Sequence, residues 1–207
     1  MMVSPMQKMS LRVRDLLNDR SGLAAVEFAM VFPMMVVMYF GVVEISSAIS
    51  VDRKATQVAR TLSDLTSQSM TVADSDIKSF GEAAKAIMTP YPASPLVSSI
   101  TEVYIDKTSG VARVQWSKGL TIGPTGDVSI AAAAPHNPGE VVTLPPVLAE
   151  AKGTFVIWSE VGYQYTPTIG IVLTGLPPFR DVAYTRPRLV LCVTYPTAGL
   201  SDCTAPK

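Results

Sequence analysis

The sequence predicts an α+β protein in which a long N-terminal helix packs on a C-terminal antiparallel β-sheet. An apolar run without charged residues extends from Phe28 to Val43. Apolar residues then recur at spacings of three and four to about residue 68, which predicts one continuous helix from about residue 23. From Leu96 the pattern changes to that of strands separated by turns. Helices first and strands afterwards favour the α+β class.

The first half of this helix is predicted to lie in a membrane. At 1.5 Å per residue, Phe28–Val43 covers roughly 24 Å, and with its flanking small residues the segment can cross a bilayer core of about 30 Å. Basic residues precede it, at Lys8, Arg12, Arg14 and Arg20. By the positive-inside tendency they keep the N-terminus in the cytoplasm. We therefore expect a single-pass transmembrane helix at residues 23–50 and an extracytoplasmic α+β domain at residues 51–207.

One carboxylate lies just inside the apolar run. A charged side chain in a bilayer helix costs about 2.5–3.5 kcal/mol, so Glu27 is expected to have a partner. If the chain is cut between Gly22 and Leu23, the new α-amine is mostly protonated at neutral pH. Leu23 and Glu27 are four residues apart, on one helix face. The carboxylate could then pair with its own amine or with that of a neighbouring subunit.

At these residues the chain resembles the type IV prepilin-like proteins. These carry a short basic leader ending in Gly, a prepilin peptidase cleavage site, Glu at the fifth mature position and an apolar helix. The segment Gly22–Phe28, with Pro33 following, is most similar to the TadE-like minor pseudopilins of tight-adherence (Flp-type) pilus assembly systems. A second stretch, Ser159–Pro167, resembles the Glu-Val-x-Tyr-x-Tyr-x-Pro segment in the C-terminal part of that family.

The resemblance implies a pilin-like fold and a role in pilus assembly or surface adhesion. It also implies that the helix spans the inner membrane and that the domain lies in the periplasm. Residues 1–22 would be a leader peptide that prepilin peptidase removes by cutting between Gly22 and Leu23. Glu27, Phe28 and Pro33 would act in assembly. The implied partners are prepilin peptidase, other minor pseudopilins or major pilin subunits, the inner-membrane assembly platform and the lipid bilayer. A TadF- or TadG-like role shares this design, and the mature protein could enter the fibre or only assist its assembly.

Two alternatives remain at this point. An ordinary signal peptide with Phe28–Val43 as its core would be cut near residues 48–50 and release a secreted binding module. The length of that core, Pro33 within it, and the pairing of Gly22 with Glu27 argue against this alternative. The other is a single-pass anchored protein that keeps its leader. The mature N-terminus distinguishes all three.

Beyond the long helix, the sequence predicts one more helix and several strands. Apolar residues of the helix share one face, at Ile77, Phe80, Ala84 and Ile87, and the Thr89–Pro92 segment ends it. The predicted elements are, in order, a helix from Asp74 or Ser75 to Met88, a hairpin of Thr101–Ile105 and Val111–Trp116, a long loop at 120–146 with at most a short strand, a strand at Thr154–Tyr165, a loop with Pro177 and Pro178, and a strand at about Leu189–Tyr195.

Cysteine content fits an exported domain. Cys192 and Cys203 can close a short loop as a disulfide, worth about 3 kcal/mol if unstrained. The alternative is that Cys192 is a buried thiol in a strand. No CxxC motif and no metal-ligand spacing is present, so no metal or cofactor is expected. Lys+Arg and Asp+Glu both number 17, and the scattered charges form no basic stripe for nucleic acid.

Catalytic motifs are lacking in the sequence, and we expect no enzyme. His136 is the one histidine, lies between two prolines, and is interpreted as a solvated loop residue. No GxSxG, Gly-rich phosphate loop or HExxH is present. Glu160 is predicted to be a surface charge or to pair with Arg186 or Arg188. Tyr163 and Tyr165 are assigned to the core or to a subunit contact.

Overall fold

The computed structural model describes residues 21–167, 170, 175–195 and 203. The predicted leader therefore lies outside the described residues, apart from its last two. The helices are α1 (Ser21–Ser67), α2 (Asp74–Met88) and α3 (Pro146–Ala149). The strands are β1 (Leu96–Ile105), β2 (Ala112–Ile122), β3 (Val128–Ile130), β4 (Val141–Val142), β5 (Phe155–Tyr163) and β6 (Phe179–Thr185).

The six strands form one antiparallel sheet in the order β3-β2-β1-β5-β6. β4 pairs with the start of β2, beside β3 on the same outer edge. The second half of α1 lies on β5 and β6, and α2 packs against α1 and β3. A long N-terminal helix on an antiparallel sheet is the predicted α+β arrangement, which is confirmed.

The main core lies between the helices and one face of the sheet. The side chains that α1 contributes follow helical spacing and are almost fully buried: Ala48, Val51, Ala55, Val58, Ala59 and Leu62. The predicted face of α2 also turns inward, with Ile77 and Ala84 buried and Phe80 and Ile87 packed at the margin. Trp116 and Ile157 meet them from the sheet. These contacts hold the second half of α1 to the domain.

A β-bulge allows β2 to contribute to two cores. Glu102 pairs with Trp116, but the next residue of β1 pairs with Val114, so Gln115 is an extra residue in β2. Trp116 consequently faces the helices, whereas Val114 and Ala112 turn to the opposite face. There a second cluster forms from Val103, Ile105, Ala112, Leu144 and Val156. The segment from β4 to α3 covers this cluster.

The end of the chain departs from the prediction. The predicted strand at Leu189–Tyr195 is absent: the segment is bent, and Thr194 forms one parallel bridge, with Thr71. The last strand is instead β6, just after the two prolines, where the sequence indicated a loop. β6 forms because β5 offers it a free edge, with partners from Ile157–Thr185 to Tyr163–Phe179. The predicted loop at 120–146 contains the end of β2 and the short strands β3 and β4.

Candidate assembly helix and its junction with the domain

The first half of α1 stands clear of the folded domain. From Leu23 to Tyr39, its exposed large apolar side chains are between 48% (Val37) and 75% (Met30) accessible. The first buried residue of α1 is Gly41. Within the described part of the chain, α1 is the one helix long and apolar enough to cross a membrane. Such an extended apolar surface is stable only when lipid or protein covers it.

The predicted cleavage site lies at the free end of this helix. A Cβ atom added at Gly22 would meet no atom of residues 21–195 that the structure describes within 4 Å, and Leu23 is 61% exposed. One turn further on, Glu27 is exposed and forms no ion pair with any residue that the structure describes. Its carboxylate is therefore open to a charged group from outside the described residues.

Phe28 and Pro33, the other predicted assembly residues, also lie on the free half. The Phe28 ring lies 5.4 Å from that of Phe32, centroid to centroid, on a surface open to neighbours. Pro33 lies inside the helix, where its missing N–H removes one backbone hydrogen bond, yet α1 continues without a break to Ser67. None of these residues contributes to the core of the domain.

A buried carboxylate marks the point where α1 enters the domain. Glu44 is 3% exposed although it follows directly on the apolar run. Tyr165 is buried beside it, with a hydrogen bond between its side chain and that of Ser47. Burial raises the pKa of Tyr165, and the charge of Glu44 adds to this, while the Ser47 hydrogen bond opposes it. Phe179 packs on the other side of Tyr165, with ring centroids 6.1 Å apart. We call Glu44, Ser47, Tyr165 and Phe179 the junction.

Below the junction, polar contacts fasten α1 to its neighbours. Lys54 Nζ donates to the carbonyls of Ile87 at 2.6 Å and Thr89 at 2.8 Å. These carbonyls are at the end of α2, where they lack partners within the helix. Ser159 of β5 donates to the carbonyl oxygen of Ala59, and Ser63 shares a 2.7 Å hydrogen bond with Thr185 of β6. The docked half of α1 is thus fixed to both α2 and the sheet.

A second buried carboxylate holds the C-terminal segment. Glu102 is fully buried in β1 and accepts the N–H of Val193 at 2.6 Å and the indole N–H of Trp116 at 3.0 Å. Trp116 also donates to the carbonyl of Val193 at 2.8 Å and stacks on Tyr195. Cys192, next to Val193, forms a disulfide with Cys203. We call this arrangement the clasp.

Burial has the largest effect on the pKa of Glu102. It raises the pKa of Glu102 to about 8, although both hydrogen bonds lower it. This structural role of Glu102 was not predicted from the sequence. The available signal was its place in β1, two residues after Ile100, in an alternating pattern where an apolar residue is expected.

Glu160 is a partly exposed charge on β5, as one of its two predicted roles required, whereas His136 is half-buried and not the solvated residue that was expected. The His136 side chain is 20% exposed and stacks on Trp158, with centroids 5.0 Å apart. Its Nδ1 lies 3.3 Å from Glu140 and its Nε2 lies 3.7 Å from Glu160. The expected partner Arg188 instead pairs with Asp64 of α1. Glu160 therefore has the imidazole as its partner because β5 places it on the sheet face that loop 131–146 covers.

Both tyrosines of the stretch Ser159–Pro167 belong to the main core. Tyr163 is 2% exposed and its hydroxyl donates to the carbonyl of Pro92 at 2.8 Å. Tyr165 forms part of the junction. Within the described residues, no group of three or more His, Cys, Asp or Glu side chains could hold a metal ion.

One family model matches the chain, over most of α1. Residues 22–63 match the model of a family described as TadE-like protein. No curated protein and no solved structure matches the chain at a significant level. The matched segment begins at the predicted cleavage site, lies entirely within α1, and includes both its free and its docked half; the stretch Ser159–Pro167 lies outside it. Over this segment the chain is similar to TadE-like proteins, which supports a pseudopilin-type role associated with the tight-adherence pilus in general terms.

Proposed function

We propose that the protein is a minor pseudopilin of a tight-adherence pilus, cut by prepilin peptidase after Gly22, which then acts in pilus assembly or surface adhesion. One observation carries this proposal. The TadE-like segment is a single helix whose apolar first half stands free of the domain, with the predicted cleavage site at its exposed end. The protein acts as a subunit and performs no catalysis.

The dimensions of the free half suit an inner-membrane anchor. From Leu23 to Val43 the helix extends about 32 Å, close to the roughly 30 Å of a bilayer core. The junction then marks the membrane boundary, and the domain lies in the periplasm. Lipid covers the exposed side chains before assembly, and the helices of other subunits can replace it afterwards.

Cleavage supplies the partner that Glu27 lacks among the described residues. The new α-amine of Leu23 is one helical turn from the Glu27 carboxylate, and both project from the free half. In a medium of low dielectric constant an unpaired carboxylate is costly, so pairing favours a defined register between helices. Prepilin peptidase is thus one partner, and the others are minor pseudopilins, major pilin subunits and the assembly platform.

The first test is the N-terminal sequence of the protein isolated from its native membrane. We expect a start at Leu23 that is lost when the host's prepilin peptidase is deleted. Gly22→Leu should leave the precursor uncut, whereas Ala29→Leu, which adds the same apolar side chain at the seventh residue after the cut, should be processed. A start near Val51 would instead indicate a secreted module, and an intact N-terminus an anchored protein; either result rejects the proposal.

The second test separates assembly from processing. Glu27→Ala should be cut normally but recover less of its partner subunits in co-purification, because the amine–carboxylate pair is lost. Glu82→Ala serves as the control, since it removes an exposed carboxylate from α2, away from α1's free half. Unchanged co-purification of the Glu27 variant would contradict the assembly role while leaving the cleavage site intact.

A further inference from the structure

The two ends of the sheet differ in the charge of the segments that connect the strands. One end carries the connections from α2 to β1, from β2 to β3 and from β5 to β6. The sequence has no charged residue from 86 to 101, from 119 to 126 or from 161 to 179. We call the described residues 89–95, 123–126, 164–167 and 175–178 the uncharged loops. The segments at the opposite end carry charged residues of both signs: Asp106, Lys107, Glu150, Lys152, Arg186 and Arg188.

Contacts between α1 and the sheet determine which end is nearest the free half of the helix. The Ser47 side chain bonds to that of Tyr165, and Ser63 Oγ donates to the carbonyl oxygen of Ile157 at 3.4 Å. From Ser47 to Ser63 the helix extends about 24 Å, and eight residues of extended chain, from Tyr165 back to Ile157, cover about 26 Å. The docked half of α1 therefore runs along β5 in the opposite direction. The uncharged loops are at the end of the sheet nearest the free half.

This geometry places the uncharged loops at the depth of the lipid headgroups. Val43 ends the apolar run, and Ser47 lies four residues later, about 6 Å further along the helix. The headgroup layer outside the hydrocarbon core is roughly 5–7 Å thick on each side of a bilayer. Since Tyr165 contacts Ser47, the connection from β5 to β6 begins within this layer. α1 is continuous through the buried Glu44, so no linker separates the domain from the membrane segment.

The side chains of the uncharged loops suit the headgroup layer. Uncharged groups lose less free energy than charged groups when they leave bulk water. Tyr91 packs against the main core near Tyr165, and tyrosine is enriched at membrane–water interfaces. The nearest carboxylate in sequence, Asp127, lies at the β3 edge of the sheet, where Lys85 Nζ donates to the carbonyl of Gly126 at 2.7 Å. Several exposed positions of these loops are prolines: Pro92, Pro124, Pro177 and Pro178.

We propose that the uncharged loops lie against the lipid headgroups, so that the domain is held on the bilayer surface in one orientation. The inference deepens the proposed function, because it rests on α1 as a membrane anchor. Lipid is the partner of this surface because the surface continues directly from the membrane segment of α1, at the depth that the helix sets. The charged end of the sheet then faces away from the membrane, where other subunits can reach it.

The test uses the full-length protein, with its disulfide intact, in phosphatidylcholine vesicles. Ser94→Cys and Pro177→Cys each add one thiol in the uncharged loops, and Thr108→Cys is the matched control at the opposite end; all three positions are exposed. A nitrobenzoxadiazole fluorophore on the new thiol is quenched by a lipid that carries a nitroxide on its headgroup. We expect quenching at residues 94 and 177 to be at least about threefold stronger than at Thr108, which β1 places roughly 30 Å further from the membrane. Iodide in the aqueous phase should quench the three labels in the reverse order.

A fourth label separates failure of this inference from failure of the membrane anchor. Met30→Cys, on the free half of α1, should be quenched by a nitroxide in the lipid acyl chains. If it is, headgroup quenching at residue 94 or 177 that is no stronger than at Thr108 would overturn the inference and leave the anchor intact. No quenching at Met30 would reject the anchor and the inference together.

Two further outcomes are decisive. Labels at residues 94 and 177 that are quenched neither by the headgroup nitroxide nor by iodide would overturn the inference, because protein would then cover the loops. Should Pro177→Cys fail to fold, Thr166→Cys replaces it, since Thr166 is exposed in the same connection between β5 and β6. The same threefold criterion then applies to that label.

Discussion

The clasp predicts an unusual dependence of stability on pH. The pKa of Glu102 is about 8 in the folded protein against 4.5 for an ordinary glutamate. Because the folded value is raised, the contribution of this carboxyl to stability is complete below about pH 4.5 and is lost as pH rises through 8. Its full size is on the order of 5 kcal/mol, since each unit of pKa corresponds to about 1.4 kcal/mol. Stability should therefore fall between pH 5 and pH 9.

Glu102→Gln is the perturbation that isolates this effect. The amide does not ionise, but its one oxygen cannot accept from both Val193 and Trp116 as the two carboxyl oxygens do. Leaving one buried donor unpaired costs about 1–3 kcal/mol. We therefore expect the variant to be less stable than the wild type at pH 5 and more stable at pH 9.

The assay is urea unfolding of the full chain in micelles at both pH values, followed by tryptophan fluorescence in a Trp158→Phe background so that Trp116 is the one fluorophore. Trp116 reports on the clasp directly because its indole N–H contacts Glu102. Glu82→Gln on the surface of α2 is the matched control and should follow the wild-type curve at both pH values. A Glu102→Gln variant that is destabilised by the same amount at every pH would refute the reasoning.

Three further predictions concern the helix, the core and the disulfide, and each is checked by urea unfolding. Leu62→Ala should lower the free energy of unfolding by about 2–4 kcal/mol because Leu62 is fully buried, whereas Met38→Ala, on the free half of α1, should change it by less than about 0.5 kcal/mol. Gly81→Ala should destabilise the domain by about 1–2 kcal/mol, since its Cβ would lie 2.3 Å from Val128 Cγ1, and Val128→Ala should rescue it. Cys203→Ser should cost about 3 kcal/mol, the value for closing a loop of this length; an unchanged unfolding midpoint would show that the disulfide does not constrain the unfolded chain.

The elements that the sequence predicted well carry their signal within their own residues. α1 and α2 repeat apolar residues at helical spacing, and β5 alternates from Phe155 to Tyr163. β6 has no such pattern: its exposed and half-buried positions include Arg180 and Asp181, and it is a strand because β5 pairs with it. Whether residues 179–185 form a strand therefore depends on the neighbouring strand β5 and cannot be predicted from their own sequence.

The C-terminal segment misled the prediction for the opposite reason. Leu189–Tyr195 is apolar and rich in β-branched residues, as strands are. Its backbone groups instead bond to residues from distant parts of the chain: Glu102, Trp116, Met70 and Val72. The helical position of the candidate site residues Gly22, Leu23 and Glu27 could be predicted from the sequence, because they lie within one short segment with a local helical signal.

The two candidate cleavage sites differ in how many buried contacts of the domain a cut would remove. α1 changes from exposed to buried at Gly41–Glu44, before the predicted membrane segment ends at residue 50. Signal-peptide cleavage near residues 48–50 would remove Glu44 and Ser47, so Tyr165 would lose both of its α1 partners in the junction. It would also place a charged N-terminus beside Val51, which is fully buried. Cleavage after Gly22 disturbs no buried contact among the described residues, because Gly22 and Leu23 are both exposed. The packing of the domain therefore favours the prepilin-type cut over the secretory one, independently of the family match.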